Sequence, residues 1–223
     1  MFKRTCRLGL IFFLGLFFLG FSPLQSPAAS ELLSPAASEL NPNGPYFEGP
    51  LYFGFSDFSA NGATIEDKLV SAILGEVVIA RAAGLTRDDK DWPAAAVYVA
   101  AYSFTSKKLA DALIYAAQKG CEVTVVMDKK QSQEKTSGRI ASYLALNGVA
   151  VYFDSSHSAM HSKYILCLSQ DAVYTGSYNF TENAKKNAEN IVGLVGNPFL
   201  VMMYLRDFMG HVEHSVPLNV TGA

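Results

Sequence analysis

The chain is poor in the residues that build metal or disulfide frameworks. It has only three cysteines in 223 residues, with no CxxC and no Cys/His pair at zinc-ligand spacing. Cys6 lies in the N-terminal apolar run, which leaves Cys121 and Cys167, each in a segment that reads as a strand. Both look like small buried apolar residues, and pairing in an oxidising compartment is the alternative. An excess of one charge is also missing. The formal net charge of −2 provides no global field that would draw the chain onto nucleic acid or anionic lipid. Any polyanion site must therefore be local.

An apolar run long enough to span a bilayer is lacking as well. Leu8–Phe21 falls short of the roughly 20 residues a spanning helix needs. Lys3, Arg4 and Arg7 flank it and small residues follow, so residues 1–25 read as a secretory signal, with cleavage expected within Ser26–Ser38. The expected location is secreted or periplasmic, and an uncleaved signal tethering the protein to a membrane is the alternative. Residues 26–45 carry a duplicated SPAASEL and read as a flexible linker. One folded domain is expected over 46–216, with a tail at 217–223.

Within that domain, strand and helix patterns alternate. Strands are expected at Pro50–Phe55, Ala96–Tyr102, Cys121–Met127, Val149–Phe153 and Ile191–Val195. Helices are expected from Ile65 to about Ala82, at Lys107–Lys119 behind an N-cap at Ser106, at Arg139–Leu146 and at Pro198–Met209. Asp128–Lys135 reads as a polar loop, and the turn Ser169-Gln170-Asp171 joins two further strands. This order predicts a layered α/β domain.

The segment His161–Asn190, HSKYILCLSQDAVYTGSYNFTENAKKNAEN, carries the chemistry. His161 and Lys163 are two apart, as are Ser177 and Asn179, on segments that read as strands, where such pairs share a face. With Glu189 they offer an imidazole, an ammonium, a hydroxyl, an amide and a carboxylate. A phosphodiester needs these types. A histidine can attack phosphorus, a lysine neutralises the phosphate, and Ser and Asn donate to its oxygens. A carboxylate on the far imidazole nitrogen fixes the tautomer.

HSK, then GSYNFT, then KKNAEN resembles the phospholipase D superfamily, and most closely its short bacterial members with a single HKD motif. AAYSFTS and VTVVMDKKQS are similar to the family too. The resemblance implies a phospholipase D-like fold: a mixed β-sheet flanked by helices, one domain per chain. It implies a phosphodiesterase with His161, Lys163 and Glu189 catalytic and Lys163, Ser177 and Asn179 holding phosphate. It implies no cofactor and no metal. Because His157, His211 and His214 lack a lysine two residues on, there is no second H-x-K. Because the family reaction uses two histidines, the resemblance implies a homodimer sharing its site across a twofold axis.

The substrate is expected to be a phospholipid headgroup ester, with metal-independent cleavage of DNA or RNA the alternative. Where the family motif has an aspartate, this chain has Leu168, and Asp171 falls in the following turn. A catalytically weak phosphate-binding module is the third reading. Gly84–Pro93 reads as a surface insertion, and Tyr102 and Phe104 as groove walls or core.

Overall fold

The computed structural model describes residues 51–55, 64–82 and 95–220. The expected signal, the linker and the insertion at Gly84–Pro93 lie outside them. Among the described residues no helix is long and apolar enough to cross a membrane.

Eight strands form one mixed sheet: β1 Leu51–Phe55, β2 Ala96–Ala101, β3 Glu122–Asp128, β4 Ala150–Asp154, β5 Lys163–Cys167, β6 Ala172–Gly176, β7 Asn190–Leu194 and β8 Val216–Pro217. Their order is β1-β7-β6-β5-β2-β3-β4-β8. β2, β3 and β4 run parallel, joined through helices, while β5, β6, β7 and β1 continue antiparallel. β8 adds an antiparallel edge to β4, and Leu218 N–H donates to Val151 O at 2.8 Å, so pairing with the sheet continues past residue 216.

Strand alternation divides the core into two layers. Val97, Val99, Ile165 and Cys167 face helices α1 (Ile65–Ala82), α2 (Lys107–Gln118) and α4 (Lys135–Leu146). Tyr98, Ala100, Tyr164 and Leu166 face α5 (Pro198–Glu213), whose Val201, Leu205 and Phe208 are buried against them. Phe208 stacks on Tyr98 at 5.0 Å between centroids. Each such anchor contributes about 1.5–3 kcal/mol by leaving water.

The helices start where caps allow. Ser106 Oγ accepts Leu109 N–H at 3.1 Å and donates to the buried Glu66 at 2.5 Å. Gly120 (φ 95) and Gly148 (φ 88) follow α2 and α4 in left-handed conformations that a side chain disfavours. The polar stretch expected as a loop is instead a short helix α3 (Lys129–Ser132), followed directly by α4 from Lys135. The reason is Asp128, whose buried carboxylate caps α3 through Gln131 N–H at 2.8 Å. Cys121 and Cys167 are buried and free. Burial pushes the Cys121 thiol up to about 11, and raises Cys167 well above its ordinary value.

Candidate active site

Antiparallel pairing gathers the candidate residues at one end of the sheet. Ala101 at the end of β2 pairs with Lys163 at the start of β5, and Tyr164 pairs with Thr175 near the end of β6. Gly176 pairs with Ile191 near the start of β7. The sequence suggested that these residues sit within strands, but only Lys163 does. His161 precedes β5, Ser177 and Asn179 follow β6, and Glu189 precedes β7. They are held at strand ends, where loops can turn toward a substrate.

His161 is exposed and Lys163 is buried to 8%. The Lys163 ammonium donates to His161 O at 2.7 Å and lies 3.2 Å from its Nδ1. Burial pushes the Lys163 pKa down, and the charge of Glu189 partly restores it. The Tyr102 ring lies 4.3 Å from the imidazole and 5.1 Å from the ammonium, a cation–π contact. Tyr102 is thus a wall of the site, whereas Phe104 is core, packed edge-on against Phe180 at 6.0 Å.

Ser177 and Glu189 are directly hydrogen-bonded, Oγ to Oε2. Asn190 locks the same turn in both directions: its Oδ1 accepts Ser177 N–H at 2.8 Å, and its N–H donates to Ser177 Oγ at 3.0 Å. The single hydroxyl proton of Ser177 is therefore directed at the carboxylate in this state. Glu189 Oε1 also accepts from Asn187 Nδ2 at 3.1 Å. Gly176 makes the turn possible, because a Cβ there would collide with the Asn190 carbonyl.

Asn179 stands on the wall of an adjoining cleft of about 460 Å³, with its Oδ1 buried and without a hydrogen-bond partner among the described residues. Tyr102, Thr105, Gln131, Lys135, Asn183 and Asn187 also line this cleft. Asn187 and Asn190 were missed as site residues, although both lie in the KKNAEN segment that carried the resemblance. Lys135 was missed because a polar loop gives no hint of where it folds.

Leu168 begins a 3₁₀ turn, Leu168–Gln170, and packs into the α5 layer. A carboxylate does reach this turn, but from α1: Glu76 Oε1 accepts Ser169 N–H at 2.7 Å and Ala96 N–H at 3.2 Å. Asp171 closes the turn in a left-handed conformation (φ 47). Three surface lysines are held in ion pairs. Lys107 pairs with Asp111 at 2.7 Å, Lys108 with Asp67, and Lys185 with Glu66 at 2.7 Å and Glu182 at 2.9 Å.

The family model described as "Cardiolipin synthase, PLD-like domain" matches residues 94–210, which include every candidate site residue. A curated relative from Rickettsia prowazekii, named "Phospholipase D", is 31% identical over 113 residues, 50% of this chain and 53% of that protein. One of the same name from Rickettsia conorii is 30% identical over 114 residues, 51% of this chain and 55% of that protein. The chain thus spans about half the length of the curated relatives it matches. Among solved structures, Nuc from Salmonella typhimurium, titled a phospholipase D family member, superposes with a TM-score of 0.62 at 24% identity, covering 76% of this chain and 98% of that one. NucT from Helicobacter pylori gives 0.52 at 18% identity, covering 75% and 99%. At these identities the likeness is one of fold.

Proposed function

This chain belongs to the phospholipase D superfamily, and on that premise we propose that it hydrolyses phosphodiester bonds through a covalent phosphohistidine on His161. The observation that carries the reading is the exposed His161 imidazole set 3.2 Å from the Lys163 ammonium, beside the cleft that holds Asn179. In the first step an imidazole nitrogen bonds to phosphorus while the bond to the leaving oxygen breaks. Lys163 and Asn179 take the charge on the non-bridging oxygens, and Ser177 joins them by releasing Glu189. A second imidazole protonates the leaving oxygen and then draws a proton from water, which displaces the phosphoryl group from nitrogen. The products are an alcohol and a phosphomonoester. No step assigns work to a metal.

The chain has one H-x-K, so the second imidazole is His161 of a second copy, and the working form is a homodimer. Exposed Phe199, Met202 and Met203 on α5 support this, since Met203 lines a cleft shared with Lys163. The preferred substrate is a phospholipid headgroup ester. The paired lysines favour a lipid over a nucleic-acid backbone. The polar, asparagine-rich cleft favours the alternative, an endonuclease acting through the same residues. The apolar run Leu8–Phe21 supports action outside the cytosol.

The test is turnover by the full chain on phosphatidylcholine and cardiolipin vesicles, plasmid and single-stranded DNA. His161→Ala is expected to lose about 10⁴-fold or more of the activity. Wild-type turnover by His161→Ala would overturn the mechanism, and cleavage of DNA but not lipid would select the alternative substrate. An active protein that is monomeric at assay concentration would rule out the shared site.

A further inference from the structure

The side chains of Asp154, His157, His211 and His214 converge at the C-terminal end of β4, at the same end of the sheet as the residues proposed for catalysis but three strands along from β5. Their ligand atoms all lie within 4.8 Å of one another. His157 Nδ1 is 2.9 Å from Asp154 Oδ2, His211 Nδ1 2.8 Å and His214 Nε2 3.1 Å. These groups come from three segments: the end of β4, the loop after it, and the last turn of α5 with the residue beyond it. Nothing in sequence spacing joins them, because Asp154 lies 57 residues before His211. Only the short spacings Asp154-x-x-His157 and His211-x-x-His214 are visible locally.

Three features set this cluster apart from an ordinary hydrogen-bond network. First, a single carboxylate oxygen has about two lone pairs, yet three ring nitrogens point at Oδ2. The other oxygen, Oδ1, already accepts Ser156 N–H at 2.9 Å and His157 N–H at 3.3 Å. Second, the three rings surround a common point like blades, with centroids 5.2, 5.3 and 5.5 Å apart and planes inclined by 62–78°. Third, His211 has a carboxylate behind it. Its Nε2 faces Asp207 Oδ2 at 3.6 Å, and that oxygen is itself anchored by Tyr164 OH at 2.8 Å. Metal-bound histidines are commonly backed in this way.

We propose that Asp154, His157, His211 and His214 form a four-ligand site for a divalent transition-metal ion of the zinc class. Imidazole nitrogens suit such ions, whereas calcium and magnesium take oxygen ligands. In a tetrahedral site with legs of about 2.0–2.1 Å, donor atoms lie about 3.3–3.4 Å apart, a few tenths of an ångström beyond the separations from Oδ2. Four protein ligands leave no open position, which makes the site structural rather than catalytic.

The ion's work would be to clasp the end of α5, and the start of β8 behind it, to the loop that presents His161. That loop is already pinned at other points: Met160 N–H donates to Asp128 Oδ2 at 2.9 Å, Lys130 Nζ to Ser158 O at 3.1 Å and Ser156 Oγ to His214 O at 3.4 Å. The side chain of His157 is 50% exposed and that of His214 34%, so a chelator can reach the site.

Full-length protein stripped with EDTA and titrated with Zn²⁺ against a chromophoric chelator tests this, with Co²⁺ as a spectroscopic probe. The expected result is one equivalent bound per chain, tetrahedral Co²⁺ absorption bands, and a melting temperature that rises with Zn²⁺. His211→Ala/His214→Ala should abolish uptake, while His161→Ala should leave it intact. If the double variant fails to fold, His157→Gln, in the exposed loop, should lose stoichiometric uptake, because one coordinating nitrogen is gone. Three results would overturn the proposal: no uptake by stripped wild type, undiminished uptake by a folded double variant, or loss of uptake in His161→Ala.

Discussion

Glu76 offers a sharp test of how this fold tolerates Leu168. Its side chain is fully buried on α1, and its carboxylate accepts Ala96 N–H at 3.2 Å, Ser169 N–H at 2.7 Å and Gln170 Nε2 at 3.3 Å. One side chain thereby ties the start of β2 to the turn after β5. Hydrogen bonds to a charged group contribute about 1.5–3 kcal/mol each, so the two backbone bonds alone amount to about 3–6 kcal/mol. Removing the carboxylate also relieves its own desolvation, which offsets part of that loss. Glu76→Ala is therefore expected to destabilise by about 2–4 kcal/mol, a large share of the 5–15 kcal/mol typical of a domain. Glu76→Gln keeps an acceptor oxygen and should lose about half as much. In urea unfolding followed by circular dichroism, an m-value near 2 kcal/mol/M turns the alanine effect into a midpoint shift of about 1–2 M. An alanine midpoint within about 0.3 M of wild type, or a glutamine variant as unstable as alanine, would refute this account.

Three further outcomes are expected. Leu168→Asp restores the family residue but places a carboxylate in the apolar layer beneath α5, so it should destabilise by about 3–5 kcal/mol without raising turnover per folded molecule; a gain in specific activity would contradict this. Gly176→Ala drives a methyl group into the Asn190 carbonyl, and should lower turnover at least tenfold while destabilising by about 1–3 kcal/mol; unchanged kinetics would show that the β6–β7 approach is not critical. The hydrogen bond from Lys108, then the Thr64 N–H, lower Asp67 from 3.8 to about 2. Because the folded value is depressed, the stabilisation is complete above about pH 4 and disappears as pH falls through about 2. The stability gap between wild type and Asp67→Asn should close over that interval in acid titration, and a gap that persists at pH 2 would exclude this linkage.

Local pattern carried most of the architecture. The apolar stripe of Ile65–Ala82, the cap at Ser106 and the glycines after α2 and α4 each state their structure within a few residues, and the elements formed there. The site motifs were legible because H-x-K and G-S-x-N fix side chains relative to their own backbone. The short helix α3 was not, because its stability depends on Asp128, whose second oxygen is held by Met160, 32 residues away. The role of Glu76 was invisible for the same reason, its partner at Ser169 being 93 residues distant. The histidine cluster likewise exists only once β4 and α5 are side by side.

β5 and β6, whose ends present His161, Lys163 and Ser177, lie in the middle of the sheet order, flanked by β7 on one side and β2 on the other. Their ladder runs into the site itself, for Tyr102 N–H donates to Ser162 O at 3.1 Å and Thr175 Oγ1 to Lys163 O at 3.0 Å. The machinery therefore cannot loosen separately from the fold. Amides of β5 and β6 are expected to exchange among the slowest, opening only in global unfolding, as hydrogen exchange would read. Heat inactivation should accordingly be all-or-none, with no inactive intermediate that keeps its sheet. A site built this way trades local adaptability for a geometry that persists until the whole domain unfolds.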